Sequence, residues 1–254
     1  MKVVILAGGL PSTISEDKEG IPKPMVEIGE NPILWHIMKN YAAHGFSEFI
    51  ICAGYKIDRI KDYFKDFYIY QSDITVDLRT NQIQIHKNMS EDWKVTVVDT
   101  GIYTATTQRI NMIRSYITED NFVVTNGDCL DNIDIGDMNR RHEAENKVVT
   151  MAVARPTGRN VTLQLSENGQ YLGKNISEDN QAWTNTGTYI FHKQVFNYLI
   201  GNYSLEDRPM DMLAEKGQVN TYRHFGFWSP VETKRDKEKM QNLWNANIAP
   251  WKTW

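Results

Sequence analysis

The chain of 254 residues contains only two cysteines, Cys52 and Cys129. Two thiols cannot build a disulfide framework, and no Cys/His spacing of the zinc-binding kind surrounds them. A single bridge between them stays open. No apolar run approaches the roughly 18 residues that a membrane span needs. Residues 1–7 carry one lysine and a short apolar stretch that runs straight into Gly8-Gly9, too brief for a secretory signal. These absences point to a cytoplasmic protein without membrane contact. Basic excess is missing too: the formal net charge is −4, which gives a nucleic-acid backbone little to bind. There is no internal repeat, low-complexity tract or Gly/Ser linker. What is present is ordinary for a soluble globular protein: 41% hydrophobic, 24% charged and 11% aromatic residues, in a length that suits one large or two small domains.

Apolar runs alternate with helix-spaced segments through the first half. Residues 3–6, 48–52, 95–98 and 122–125 read as buried strands. Between them, residues 33–41, 57–67 and 108–116 carry apolar residues at helical spacing. Strand followed by helix in this order predicts a doubly wound α/β domain with a mixed, mainly parallel sheet of Rossmann-like type. Residues 74–78 and 82–86 instead alternate apolar and polar around 79–81, which predicts an inserted β-hairpin. The second half mixes strands at 148–154 and 188–191 with a polar stretch over 166–185, and a helix is predicted over 234–245. A single domain is expected, with a doubly wound half over 1–133 and a mixed α+β half over 134–254. The tryptophans Trp244, Trp251 and Trp254 are expected to pack on the chain's own core or on a sister subunit.

Three features carry chemistry. Strand one runs into Leu6-Ala7-Gly8-Gly9-Leu10, at the carboxyl edge where open α/β sheets bind ligands. Glycines there let backbone N–H groups approach a phosphate, although Gly-Gly also makes a plain tight turn. Lys23 stands between Pro22 and Pro24, whose rings fix the backbone and hold the ammonium in an extended frame suited to phosphate; a solvated loop lysine is the alternative. Asp128 follows the strand over 122–125 and is placed either to hold magnesium against phosphates or to cap a turn. Glu232, just before the 234–245 helix, reads from its own surroundings as a helix-start acid. Cys129 reads as a small residue beside the site, Cys52 as core, and His224 as a packed or ligand-proximal histidine.

Together these residues resemble the glucose-1-phosphate cytidylyltransferases of the sugar-phosphate nucleotidyltransferase family. The likeness runs through Leu6–Leu10, Pro22–Gly29, Pro32–Lys39, Gly54-Tyr55-Lys56, Trp93–Gly101, Gly127-Asp128, Gly226-Phe227-Trp228 and Ala249-Pro250-Trp251. It implies magnesium-dependent transfer of a cytidylyl group from CTP to a phosphorylated acceptor, by default glucose 1-phosphate, with release of pyrophosphate. In that picture Leu6, Ala7, Gly8, Gly9, Ser12, Thr13, Lys23, Thr100, Gly101 and Arg109 meet the nucleotide. Asp128, Lys174, Asn185 and Gly187 meet the acceptor, Asp128 and Glu232 hold the metal, and Lys23 and Asp128 are catalytic. The resemblance also implies a homo-oligomer, in which the C-terminal tryptophans would serve, and a place in polysaccharide biosynthesis.

Departures from the family pattern concentrate at this site. The family's Gly-Thr-Arg after the glycine turn is Pro11-Ser12-Thr13 here, and its Glu-Lys-Pro is Asn175-Ile176-Ser177, with Lys174 two residues from the lost lysine. Its Gly-Gly after the Asn becomes Thr186-Gly187, its late metal-binding aspartate becomes Glu232, and the Gly after its earlier aspartate becomes Cys129. Each lost charge-assisted contact is worth roughly 1.5–3 kcal/mol. The sequence therefore leaves three readings: the default enzyme, an enzyme for a different phosphorylated acceptor, or an impaired relative that binds nucleotide without turnover.

Overall fold

A computed structural model describes residues 1–9, 14, 20–155, 162–167, 169–175 and 183–254, with backbone alone at 88, 162–164, 174 and 175. Seven strands form its main sheet: β1 (Val3–Ala7), β2 (Glu48–Ala53), β3 (Lys94–Asp99), β4 (Asn121–Asn126), β5 (Val149–Ala154), β6 (Thr184–His192) and β7 (Val219–Arg223). Their order across the sheet is β7-β5-β6-β4-β1-β2-β3. All run parallel except β6, which is antiparallel to both neighbours.

The apolar runs form strands because both faces of the sheet are covered. Val3, Ile5 and Ala7 point into one core, with Phe49, Ile51 and Ala53 beside them. Val4 points into the other, with Ile50, Cys52 and Val124. Strands buried on two sides need continuous apolar sequence, and each fully buried Ile or Val stabilises by about 1.5–3 kcal/mol. The first core is covered by α1 (Ile33–Ala43) and the more polar α2 (Ile57–Lys65). Further along come α3 (Thr106–Met112), α4 (Ile135–Glu145), α5 (Arg208–Glu215) and α6 (Lys234–Asn245).

Some boundaries differ from the sequence expectation. The helix expected over 57–67 stops at Lys65, turns at Asp66 and resumes as Phe67–Tyr70. The one expected over 108–116 ends at Met112, and a 3₁₀ turn over Arg114–Tyr116 follows. Helical spacing of apolar residues is thus preserved through breaks that periodicity does not register. The hairpin is present as Ser72–Asp77 and Gln82–Asn88. Leu78, expected in its first strand, lies in the turn, where the Asp77 carboxylate accepts from the Arg79 N–H. The tryptophan tail packs on its own chain: Trp251 is fully buried, and Trp244 and Trp251 sit against His36 of α1.

Candidate active site

Parallel pairing brings the ends of β1 and β4 side by side, with Leu6 opposite Asn126. Gly8-Gly9 and Gly127-Asp128 therefore leave the sheet together. Gly127 is needed there, because a Cβ would lie 2.9 Å from the Leu6 carbonyl and 3.0 Å from Pro24. The cleft above holds about 340 Å³, between residues 6–9, Pro22-Lys23-Pro24 and Gly127-Asp128.

Lys23 Nζ stands 3.3 Å from Asp128 Oδ2 across this cleft, both partly exposed. The backbone at Lys23 is not extended, as expected from its flanking prolines, but opens a 3₁₀ turn, Lys23–Met25. Pro22 keeps the extended conformation, and Pro24 falls in the first turn, where a missing N–H costs nothing. Asp128 Oδ1 also receives the Cys129 thiol at 3.6 Å. That thiol is a poor nucleophile: burial pushes its pKa well up, with the Asp128 and Asp131 carboxylates adding to the effect.

Glu232 arrives through a second, short pairing. Trp228–Pro230 runs antiparallel to Cys129–Asp131, and the Val231 N–H donates to the Asp128 carbonyl at 2.8 Å. Glu232 directly precedes the helix start, as its surroundings suggest, but the cap itself is made by other residues. Thr233 caps α6, and the Asp236 carboxylate accepts from the backbone N–H groups of Thr233 and Glu232. The Glu232 side chain is left exposed, near enough to Cys129 to help raise its thiol pKa.

Arg109 lies beneath the glycine turn rather than in the cleft. It is 2% exposed and donates from Nη1 to Thr100 Oγ1 at 2.7 Å and from Nη2 to the Ile102 carbonyl at 3.1 Å. A Cβ on Gly8 would sit 1.8 Å from Arg109 Nη1, so this glycine is what admits the guanidinium. Burial lowers the Arg109 pKa, opposed by Cys52 and Asp99. Thr100 is buried as well, and its hydroxyl donates to the Ala53 carbonyl at 2.7 Å while accepting from Arg109. Gly101 takes a positive φ of 82° next to it.

On the other side of Asp128, β6 starts at the same edge. Gly187 packs so closely on Asn126 that a Cβ would lie 2.3 Å from its side-chain nitrogen. Asn185 accepts from the Gly187 N–H at 2.9 Å and donates to Tyr189 and Glu206. Glu206, which the sequence did not single out, also receives the Tyr189 hydroxyl at 3.0 Å and Ser204. Its loop reaches back to α3, where the Leu205 N–H donates to Thr106 Oγ1 and the Thr107 N–H to the Tyr203 carbonyl. No local pattern marks Glu206, because its distant partners, Asn185 and Tyr189, come from β6.

Lys174 lies on the strand Tyr171–Asn175. Ser12, Thr13 and Ile176 fall outside the described residues. His224 is packed, its Nε2 3.0 Å from the Phe227 carbonyl and its pKa lowered by burial. A wider groove of about 1050 Å³ between α2 and α6 contains neither Lys23 nor Asp128.

The nucleotidyl transferase family model matches residues 2–163. Glucose-1-phosphate cytidylyltransferase of Salmonella typhi is 38% identical over 256 residues, covering all of both chains. A probable glucose-1-phosphate cytidylyltransferase of Bacillus subtilis is 36% identical, again over the whole of both. Among solved structures, HddC from Yersinia pseudotuberculosis superposes with a TM-score of 0.74 at 22% identity, over 96% of this chain and 99% of that one.

Proposed function

The chain belongs to the nucleotidyl transferase family, and from that premise we propose that it transfers a cytidylyl group from CTP to a sugar 1-phosphate, glucose 1-phosphate by default, releasing pyrophosphate. The observation that carries this reading is the Lys23–Asp128 pair at 3.3 Å in the mouth of the glycine turn. A phosphate oxygen of the acceptor is already anionic, so attack on the α-phosphorus of CTP needs no protein nucleophile. The protein has to align two polyanions and neutralise charge. Gly8 and Gly9 present backbone to the nucleotide phosphates, with the Arg109 cation buried below them. Thr100 and Gly101 shape the wall behind, while Asn185, Gly187 and the strand bearing Lys174 line the acceptor side. Ser12 and Thr13 belong to the same proposed nucleotide contact.

Asp128 and Glu232 suit magnesium. They are carboxylates, the hard oxygen donors it takes, on backbone segments joined by the Val231–Asp128 hydrogen bond. Among the described residues no group of three His, Cys, Asp or Glu side chains could hold a metal alone. Two carboxylates completed by phosphates and water match the way magnesium is usually bound. When bound, the ion would neutralise charge on the phosphates and the departing pyrophosphate. Lys23 and Asp128 neutralise each other in this structure; an Asp128 engaged elsewhere leaves the Lys23 ammonium for phosphate.

Two further parts of the reading rest on separate features. A reducing, cytoplasmic setting is supported by two free thiols, Cys52 and Cys129. A homo-oligomer is supported by the hairpin, where Ile74 pairs with Ile85 and Val76 with Ile83, all four exposed. A role in polysaccharide biosynthesis follows from the proposed CDP-sugar product.

The test is pyrophosphate release from CTP, magnesium and glucose 1-phosphate. Wild type is expected to turn over, and Asp128→Ala to lose at least about a hundredfold in rate, the scale on which removal of a preorganised electrostatic group acts. Equal rates in the two proteins would refute the assignment of Asp128.

A further inference from the structure

The carboxyl edge continues past Asn185 to a cluster that the reaction as described leaves unused. Arg155 follows β5, Arg223 ends β7, and Trp183 precedes β6. The strand register brings them together: Val153 pairs with Arg223, and Ala154 with Thr184. Both guanidiniums lie over one indole, with Arg155 Cζ 4.5 Å and Arg223 Cζ 5.6 Å from the Trp183 ring centre. Phe225, 78% exposed, stands edge-on to Trp183 at 5.4 Å.

Each cation gains from the ring it faces, and no carboxylate among the described residues forms an ion pair with either. Arg223 is held in place by an Nη2 hydrogen bond of 3.0 Å to the Ser166 carbonyl, yet its buried Nε has no partner. A buried donor left unpaired is costly, and two planar guanidiniums of this kind suit the oxygens of a phosphate or carboxylate.

Position fixes what such an anion would belong to. Neighbouring strands lie about 4.8 Å apart, so β5 is about 10 Å and β7 about 14 Å along the edge from β4, which delivers Asp128. That is too far for a phosphate reacting at Asp128. It is the reach of the far end of an acceptor whose near end sits there, with Asn185 between.

We propose that Arg155 and Arg223, gathered on Trp183, form a subsite for a second anionic group on the acceptor, so that the favoured acceptor is a sugar or polyol phosphate bearing an additional phosphate or carboxylate. This rests on the cytidylyl-transfer reading and narrows its acceptor.

The experiment measures kcat/KM for pyrophosphate release by the full chain with CTP and magnesium. The acceptors are glucose 1-phosphate, glucose 1,6-bisphosphate and glucuronic acid 1-phosphate, the last two separating a phosphate source of the charge from a carboxylate source. Wild type is expected to favour at least one doubly charged acceptor by about tenfold or more, the scale of one charge-assisted contact. In Arg155→Gln and Arg223→Gln that ratio is expected to fall towards one, with Arg155→Lys intermediate because it keeps charge without the planar fork. No preference in wild type, or a preference that both Gln variants retain, overturns the subsite. If no acceptor turns over, calorimetric titration with glucose 1,6-bisphosphate separates the two ideas. Saturable binding weakened in the Gln variants upholds the subsite while the transfer reading falls; no saturable binding, or binding equal in all variants, overturns the subsite as well.

Discussion

Thr100 shows how one buried hydroxyl can act on the proposed nucleotide site through a neighbour. It joins the Ala53 carbonyl of β2 to the Arg109 guanidinium, both at 2.7 Å. Thr100→Val keeps the shape and removes the acceptor, leaving a buried Arg109 N–H unpaired. The expected cost is about 1–3 kcal/mol of stability, with weaker CTP binding because the guanidinium beneath Gly8 is no longer fixed. Thr100→Ser, which keeps the hydroxyl, should restore both. Urea unfolding and a CTP titration on the two variants check this, and equal behaviour of Val and Ser would remove the positioning role. Residue identity made Gly8, Lys23 and Asp128 legible in the sequence because glycine turns and proline-flanked lysines are local signals. Arg109 drew attention only through the family resemblance, and Glu206 drew none.

At the scale of elements, α6 ties the edge proposed to hold magnesium to the core. Thr233 and Asp236 form a reciprocal cap, and Asp236 also receives the Glu232 N–H at 3.2 Å. Farther along the helix Met240 is fully buried and Trp244 packs on His36. Asp236→Ala is expected to cost about 1 kcal/mol, as loss of a cap does, and to raise the magnesium concentration needed for half-maximal turnover by loosening Glu232. Asp236→Asn, which retains an accepting oxygen, should lose less of both. Thermal unfolding and a magnesium titration of pyrophosphate release read the two effects; a lower melting temperature with an unchanged magnesium requirement would separate the cap from the site. The helix itself was legible over 234–245 from its composition and spacing. Its opening hydrogen bonds were not, since the charge of Glu232 suits a helix start in sequence and only the backbone shows Thr233 as the cap.

Stability of the whole molecule should vary with pH through three buried groups, His36, His142 and Asp131. Burial lowers His36 and His142 from 6.5 to about 4. The unfolded chain takes up these protons below about pH 6.5 and the folded one does not, so stability falls as pH drops from there towards 4. Asp131 acts in the opposite sense: burial raises it from 3.8 to about 7. The folded carboxyl stays protonated where the unfolded one has ionised, so its stabilising effect is full below 3.8 and is lost as pH rises through 7. Asp131→Asn keeps an acceptor for the Ile133 N–H and removes this loss. The variant should therefore gain stability over wild type at pH 8 compared with pH 4, measured as the difference in urea midpoint at the two values. An equal difference at both would show that Asp131 does not titrate across this range.

The sequence by itself determined six of the seven strands of the sheet, all but the edge strand β7, with the hairpin, the glycine turn and the long C-terminal helix. Their signals are local: apolar runs where both faces are covered, alternation where one is, and turn or capping residues at the ends. Only the tertiary structure decided which of these ends meet. Parallel register set Gly8 beside Gly127, and a three-residue pairing brought Glu232 to Asp128. The antiparallel course of β6 carried Asn185 and Trp183 to the edge where Arg155 and Arg223 emerge. Such meetings depend on pairing between segments remote in sequence, and side-chain periodicity within a segment contains nothing about its distant partner.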